Sequence, residues 1–255
     1  MTIGKVYLVG AGPGDEKLIT VYGRECLEPA DVIIYDRLIN RKLLRYAKPG
    51  AEVLYCGKEP GKHDTVQEQI HELLVWHAQQ GKTVVRLKGG DPCVFGRVGE
   101  EAEVLAKAGI PFEIVPGVTS GIAVPAYAFR SPTVITPPRW RWSAGIGVQR
   151  IDWEALTRGC DTILVYMGAA NLPDICGRLM AAGKPSDTPA AIIEWGTTER
   201  QRTVAATLST LSDEAEQAGI SHPAIIIIGD VVRLRETLQW FPERQGGVVD
   251  ADASS

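Results

Sequence analysis

The chain has 255 residues, 45 % hydrophobic and 23 % charged, with a formal net charge of −4. That length supports one large or two modest domains with a substantial core, and the acidic balance argues against general nucleic-acid binding. No apolar run approaches the roughly 18 residues that a membrane span needs, so no membrane partner is expected.

The first residues, Met1-Thr2-Ile3-Gly4-Lys5, lead straight into a strand pattern rather than a signal peptide. The five cysteines, 26, 56, 93, 160 and 176, are odd in number and contain no C-x-x-C pair. The four histidines include no H-E-x-x-H and no i, i+4 pair. Reduced thiols, a cytoplasmic location and no metal site are the expectations.

In chain order, strands are predicted over 5–9, 32–35, 52–55, 83–87 and 112–115. A helix is predicted over 65–80, opened by Thr65-Val66-Gln67-Glu68 at capping-box spacing, with Val66, Ile70, Leu73, Leu74 and His77 on one face. Another is predicted over 99–108, stopped by Gly109. Such alternation predicts a parallel sheet with helices on both faces. Pro116-Gly117 breaks the pattern, and beyond Arg150 it resumes. Strands are predicted over 162–166, 190–194, 203–206 and 224–228, with helices over 170–182 and 208–218. The division reads as an N-terminal α/β domain (1–117), a linker and anomalous segment (118–149), a C-terminal α/β domain (150–241) and a disordered tail (242–255).

Two glycine-rich loops follow apolar strands. Gly10-Ala11-Gly12-Pro13-Gly14-Asp15 has Asp36 about 20 residues on, a spacing that resembles a dinucleotide fingerprint. Pro13 and Asp15 depart from that fingerprint, because an acidic residue repels the pyrophosphate expected there. A tight strand-to-helix turn explains the same glycines. In Gly89-Gly90-Asp91-Pro92 the glycines admit a ligand to the main chain, and Asp91 is either a hydroxyl or ammonium acceptor or a helix cap.

Together the loops carry a resemblance. V-Y-L-V-G-A-G-P-G-D-E-K-L-I-T (6–20) and V-V-R-L-K-G-G-D-P-C-V-F-G-R-V-G-E-E (84–101) are similar to the two signatures of the tetrapyrrole methylase family. A-D-V-I-I-Y-D-R-L-I (30–39), Y-C-G-K (55–58), G-K-H-D-T-V-Q-E-Q-I (61–70) and P-G-V-T-S (116–120) extend it. The Y-D-R-L stretch resembles the members that methylate uroporphyrinogen III. The similarity is dense over 3–128 and sparser over 150–240, where Y-M-G (166–168), A-I-I-E-W-G-T (191–197) and I-I-I-I-G-D-V-V (225–232) carry it.

The resemblance implies an α/β fold of two α/β domains with a cofactor cleft between them, working as a homodimer. It implies S-adenosylmethionine as methyl donor, S-adenosylhomocysteine as product, and methylation of uroporphyrinogen III at carbons 2 and 7 to give precorrin-2, for sirohaem or cobalamin. Carried over by position, cofactor contacts fall on Pro13, Gly89, Gly90, Asp91, Val94, Thr119, Ser120, Met167 and Ala191. Asp36 is the implied proton acceptor and Lys58 the implied proton donor, with Arg37, Lys58 and Arg97 on the substrate. The chemistry fits these roles. A sulfonium methyl is already activated, so the protein must align the ring carbon, exclude water and provide a base. The substrate carries eight carboxylates, and Arg37, Arg41, Lys42, Arg45, Lys58 and Lys62 cluster in sequence; a solvated basic helix face is the alternative for these. Strand-end turn and core-filling roles are the alternatives for Asp36 and Met167.

One stretch does not fit. Residues 129–147 read F-R-S-P-T-V-I-T-P-P-R-W-R-W-S-A-G-I-G, where the family has a G-I-P-x-T-H-R linker and an apolar strand. With suitable synonymous codons, reading one base earlier gives I-P-V-T-H-R-D-Y-A-S-S-V-A-V-V-S-G-H-R. Two compensating frame shifts, near 128 and near 147–150, account for this segment; a divergent insertion is the alternative. Buried Arg139 and Arg141 would be costly and Pro137-Pro138 cannot join a central ladder. The expectation is that 129–149 is irregular or displaced and that the second domain lacks one strand. Three other functions stand beside the enzyme reading: a remnant that only binds ligand, a tetrapyrrole methylase with a different ring position, and a nucleotide-dependent oxidoreductase using the first loop.

Overall fold

Five short apolar runs in the first 120 residues become five parallel strands: β1 (Val6–Gly10), β2 (Val32–Tyr35), β3 (Glu52–Tyr55), β4 (Val84–Lys88) and β5 (Phe112–Val115). Their order is β3-β2-β4-β1-β5. The structure, a computed structural model, describes residues 2–57, 63–129, 140–144, 151–235 and 240–242, with 63–66 and 140–144 as backbone. The chain divides into two compact units, Met1–Ser120 and Gly121–Ser255.

In the first unit each sheet face has its own core. Helix α1 (Val21–Leu27) buries Cys26 and Leu27 against Val9, Ile33, Tyr35, Val85 and Leu87. The 3-10 segment Arg41–Tyr46 adds Leu43 to the same face. Helices α2 (His63–Gln79) and α3 (Val98–Lys107) cover the opposite face, packing Ile70, Leu74, Ala78 and Leu105 against Val6, Leu8, Val32, Ile34 and Val84. The period-two split of β1, β2 and β4 between the two cores is what strand geometry demands of a sheet covered on both sides. Burying each of these aliphatic side chains contributes roughly 1.5–3 kcal/mol.

The topology also creates a divide. The connection from β1 runs toward β2 on the α1 face, while that from β4 runs toward β5 on the α3 face. The two chains therefore leave adjacent strand ends in opposite directions. An open parallel sheet binds ligands at such a switch point, outside the carboxyl ends of the strands.

The second unit opens with helix α4 (Ser120–Phe129), whose first residue belongs to the first unit. The sequence reading places this stretch in the linker and anomalous segment (118–149), where the structure has a helix. Ala123, Val124, Pro125, Ala128 and Phe129 are all inside, while Ile122 is exposed. The Gly121 N–H, near its open end, donates to the Tyr166 hydroxyl at 2.8 Å.

Strands β6 (Trp140–Ala144), β7 (Thr162–Tyr166), β8 (Pro189–Glu194), β9 (Arg202–Thr207) and β10 (Ala224–Ile228) form a second sheet in the order β6-β7-β10-β8-β9. Only β6 and β7 are parallel; the other three pairings are antiparallel. Helices α5 (Trp153–Gly159), α6 (Leu172–Ala181) and α7 (Leu211–Gln217) pack Leu156, Ile175, Leu179 and Leu211 on Ile163, Val165, Ile192, Ile226 and Ile228.

The expected loss of a strand is not what the structure contains. β6 is present, with Trp140 opposite Thr162 through Ala144 opposite Tyr166. Its position explains how this sequence enters a sheet: β6 is an edge strand, bonded on one side only, so the stretch is not asked to complete a central ladder. Pro137-Pro138, Arg139 and the rest of 130–139 and 145–150 lie outside the described residues, as does most of the tail. No helix among the described residues is long and apolar enough to cross a membrane.

Candidate active site

The first unit's candidate site is built where three loops cross at the carboxyl ends of β1, β4 and β5. Ala11 N–H donates to the Lys88 carbonyl at 2.7 Å, and Gly12 and Gly90 exchange both backbone hydrogen bonds, at 3.2 and 2.7 Å. Gly12 and Gly90 adopt φ of 79° and 68°, the left-handed region that glycine enters without strain. Gly117 fits beneath them for a steric reason. A Cβ there would sit 2.4 Å from the Gly90 carbonyl oxygen and 2.8 Å from Gly10 Cα.

Asp91 locks this crossing. Its Oδ1 accepts the Cys93 N–H at 2.7 Å and its Oδ2 accepts the Gly117 N–H at 3.0 Å. Both oxygens thus organise loops, one by turning its own segment and one by tying β4's loop to β5's. Val94 N–H closes the same turn onto the Asp91 carbonyl. The loop after β2 joins in through Asn40, whose side-chain amide donates to the Gly14 carbonyl at 2.8 Å.

Asp36 follows β2 directly and stays partly exposed. One of its oxygens accepts the Leu38 N–H at 3.0 Å and the other meets Arg86 Nη2 at 3.3 Å. Arg37 beside it is exposed. Arg45 is drawn away from an open basic face, 3.2 Å from Glu16 and 3.1 Å from the Tyr46 hydroxyl.

Pro13, Asp36, Arg37, Gly89, Gly90, Asp91, Val94 and Thr119 therefore sit on loops at one edge of the first sheet, where Ser120 begins α4. Arg97 lies further along the β4 loop in a left-handed conformation, φ 55°, and grips Glu100 with two hydrogen bonds at 2.6 and 2.7 Å. Met167 and Ala191 belong to the second unit. Met167 follows β7 with φ 55° and is 45 % exposed. Ala191 lies inside β8 between β10 and β9 and has no exposed surface. Lys58 and Lys62 lie outside the described residues.

The sequence reading missed a buried charge cluster directly behind Asp36. Arg86 and Lys88 are 3 % and 5 % exposed, and Glu101 is fully buried. Lys88 Nζ reaches both Glu101 oxygens, at 2.8 and 2.9 Å, and Arg86 Nε reaches Oε1 at 3.3 Å. Burial lowers the Lys88 pKa below the usual lysine value, and this outweighs the raising effect of Glu101. A signal was available: Arg86 and Lys88 are i, i+2 neighbours in an otherwise apolar central strand. Two cations on one buried face require a buried anion.

The glycine crossing exposes main chain at a switch point, with a carboxylate beside it and no metal-binding group of side chains among the described residues. The model of the family described as Tetrapyrrole (Corrin/Porphyrin) Methylases matches residues 5–212. The chain belongs to the tetrapyrrole methylase family.

Two relatives within that family are similar over nearly their whole length. A protein of Priestia megaterium named uroporphyrinogen-III C-methyltransferase is 51 % identical over 240 residues, covering 90 % of this chain and 99 % of its own length. One of the same name from Bacillus subtilis is 48 % identical over 251 residues, covering 94 % and 95 %. Among solved structures, the Thermus thermophilus uroporphyrin-III C-methyl transferase complexed with S-adenyl homocysteine is 37 % identical with a TM-score of 0.76, covering 91 % of this chain and 100 % of that one.

Proposed function

We propose that this tetrapyrrole methylase transfers methyl groups from S-adenosylmethionine to carbons 2 and 7 of uroporphyrinogen III, giving precorrin-2, as a cytoplasmic homodimer. The observation that carries the reading is the near-complete coverage, at 48 % and 51 % identity, of two relatives that bear the name of this reaction. The Thermus relative's complex with the spent donor supports the choice of donor.

The residues present suit such a donor. At Gly10 and Gly117 a Cβ would meet backbone atoms within 3 Å, and Gly90 holds a positive φ of 68°, so the loops cross as bare main chain at the strand ends where the donor is proposed to bind. When bound, S-adenosylmethionine supplies an already activated methyl group. Pro13, Gly89, Gly90, Asp91, Val94, Thr119 and Ser120 hold it in this reading, with Met167 as the second unit's candidate; Ala191, with no exposed surface, is not among the contacts. The chain's remaining task is to align a ring carbon with the donor methyl and to take the proton that the macrocycle loses elsewhere after attack. Asp36 is the acceptor and Lys58 the donor; Arg37, Lys58 and Arg97 meet substrate carboxylates. For Arg97 this requires exchange of its Glu100 partner for a carboxylate of the substrate.

The test is anaerobic incubation with uroporphyrinogen III and the methyl-13C donor, followed by NMR of the product. Two labelled methyl groups on carbons 2 and 7 are expected. Label on other carbons would identify a different ring specificity. Stabilisation by S-adenosylhomocysteine without any label transfer would leave a ligand-binding remnant.

A further inference from the structure

Glu101 is a carboxylate with no exposed surface, and the proposed reaction gives it no part. Neither does it give one to Arg86 or Lys88, which are nearly as deep. A buried ion cluster of this kind is weak support for stability, because well-packed apolar residues of similar volume often do as well or better.

The contacts point to another role. Arg86 is held on every side: Nε by Glu101 at 3.3 Å, Nη1 by the Leu87 and Ile34 carbonyls at 3.1 and 3.4 Å, and Nη2 by Asp36 at 3.3 Å. A planar guanidinium with partners around its whole fork has one orientation available. Asp36 is in turn held at both oxygens, by the Leu38 N–H and by Arg86. Glu101 also absorbs Lys88 completely, through both of its own oxygens, and takes a further hydrogen bond from Gln67 at 3.3 Å. The two carboxylates balance the two cations. Without Glu101, Arg86 loses the partner of its Nε and Lys88 loses two carboxylate contacts.

We propose that Glu101 is a positioning residue for methyl transfer: by holding Arg86 and Lys88 it aims the Asp36 carboxylate at the reacting ring. This rests on the proposed role of Asp36 as proton acceptor. Glu101, with no exposed surface, reaches Asp36 only through Arg86, and it keeps Lys88 from competing for either carboxylate.

A double-mutant cycle tests it. The unaltered chain, Glu101→Gln, Asp36→Asn and the double variant are assayed with uroporphyrinogen III and a radiolabelled methyl donor, so that slow variants remain measurable. For each, kcat, the KM for the donor and the thermal midpoint are recorded. E101Q is expected to lower kcat on the order of 10²-fold, the scale of a small misplacement at a reacting centre, with the donor KM little changed. Added to D36N, it is expected to cost nothing more, because the group it aims is gone. Losses that multiply in the double variant would overturn the inference, since a merely structural role acts whether or not Asp36 is present. Should E101Q fail to fold, Arg86→Lys, which keeps the charge and loses the fork, takes its place with the same two outcomes. No turnover by the unaltered chain would overturn the proposed function and this inference together; turnover with multiplying losses would overturn this inference alone.

Discussion

At Gly117 a single hydrogen atom decides whether three loops can cross. Its added Cβ would enter the space of the Gly90 carbonyl and of Gly10 Cα, which are backbone atoms with no flexible end to give way. Gly117→Ala is therefore expected to destabilise the chain by about 1–3 kcal/mol, the usual cost of overpacking, and to weaken S-adenosylhomocysteine binding. Urea denaturation and a thermal-shift titration check the two effects. Cys93 offers a second probe in the same loop. It is exposed, whereas Cys26, Cys160 and Cys176 are buried, and burial pushes the thiols of Cys26 and Cys176 up to about 11. A disulfide reagent at neutral pH should react with Cys93 well before those three, and S-adenosylhomocysteine should slow that reaction. At this scale the sequence was informative where a residue's chemistry is local. The glycines and Asp91 stood out because spacing alone shows a loop after a strand. Glu101 did not, because its partners come from a strand thirteen and fifteen positions earlier and only the packing of α3 on β4 brings them together.

The elements of the first unit were legible because apolar runs and helical spacing are strong there. Those of the second were partly misread. Periodicity reports which residues are buried but not whether neighbouring strands run parallel, so the antiparallel pairings of β7, β8, β9 and β10 had no signature in the spacing. Helix α4 lies in the stretch read as linker, and β6 in the stretch expected to be irregular for its arginines and prolines; an edge position lets β6 pair despite that composition. The strand ends of the first sheet make a pH-dependent prediction. Asp31 accepts the Thr83 N–H at 2.7 Å and pairs with Lys48 at 2.6 Å, linking β2 to the start of β4. The Lys48 hydrogen bond, and then that from Thr83, hold its pKa below the ordinary 3.8. A carboxylate with a lowered folded value contributes stability that is full above its ordinary value and is lost as pH falls through the folded one. The gap in stability between the unaltered chain and Asp31→Asn should therefore be constant around neutral pH and close below 3.8. A gap that does not change with pH would show that the ion pair contributes nothing through charge.

For the whole molecule, the glycine crossing, the switch point and the carboxylate at the end of β2 all lie in Met1–Ser120, while Met167 and Ala191 come from Gly121–Ser255. Residues 129–147 are the stretch whose sequence is expected to depart from the family's pattern. Replacing them with I-P-V-T-H-R-D-Y-A-S-S-V-A-V-V-S-G-H-R is expected to preserve or raise methyl transfer, since β6 already occupies the register in which V-A-V-V-S would stand. A restored chain less active than the present one would show the segment to be a working insertion.

The central claim is methyl transfer to uroporphyrinogen III, and the most direct measurement is the product mass after anaerobic incubation of the present chain with that substrate and S-adenosylmethionine. The account predicts a product heavier by two methyl additions, formed only when both substrates are present. A substrate recovered at its starting mass, from a folded chain that S-adenosylhomocysteine stabilises, would contradict it.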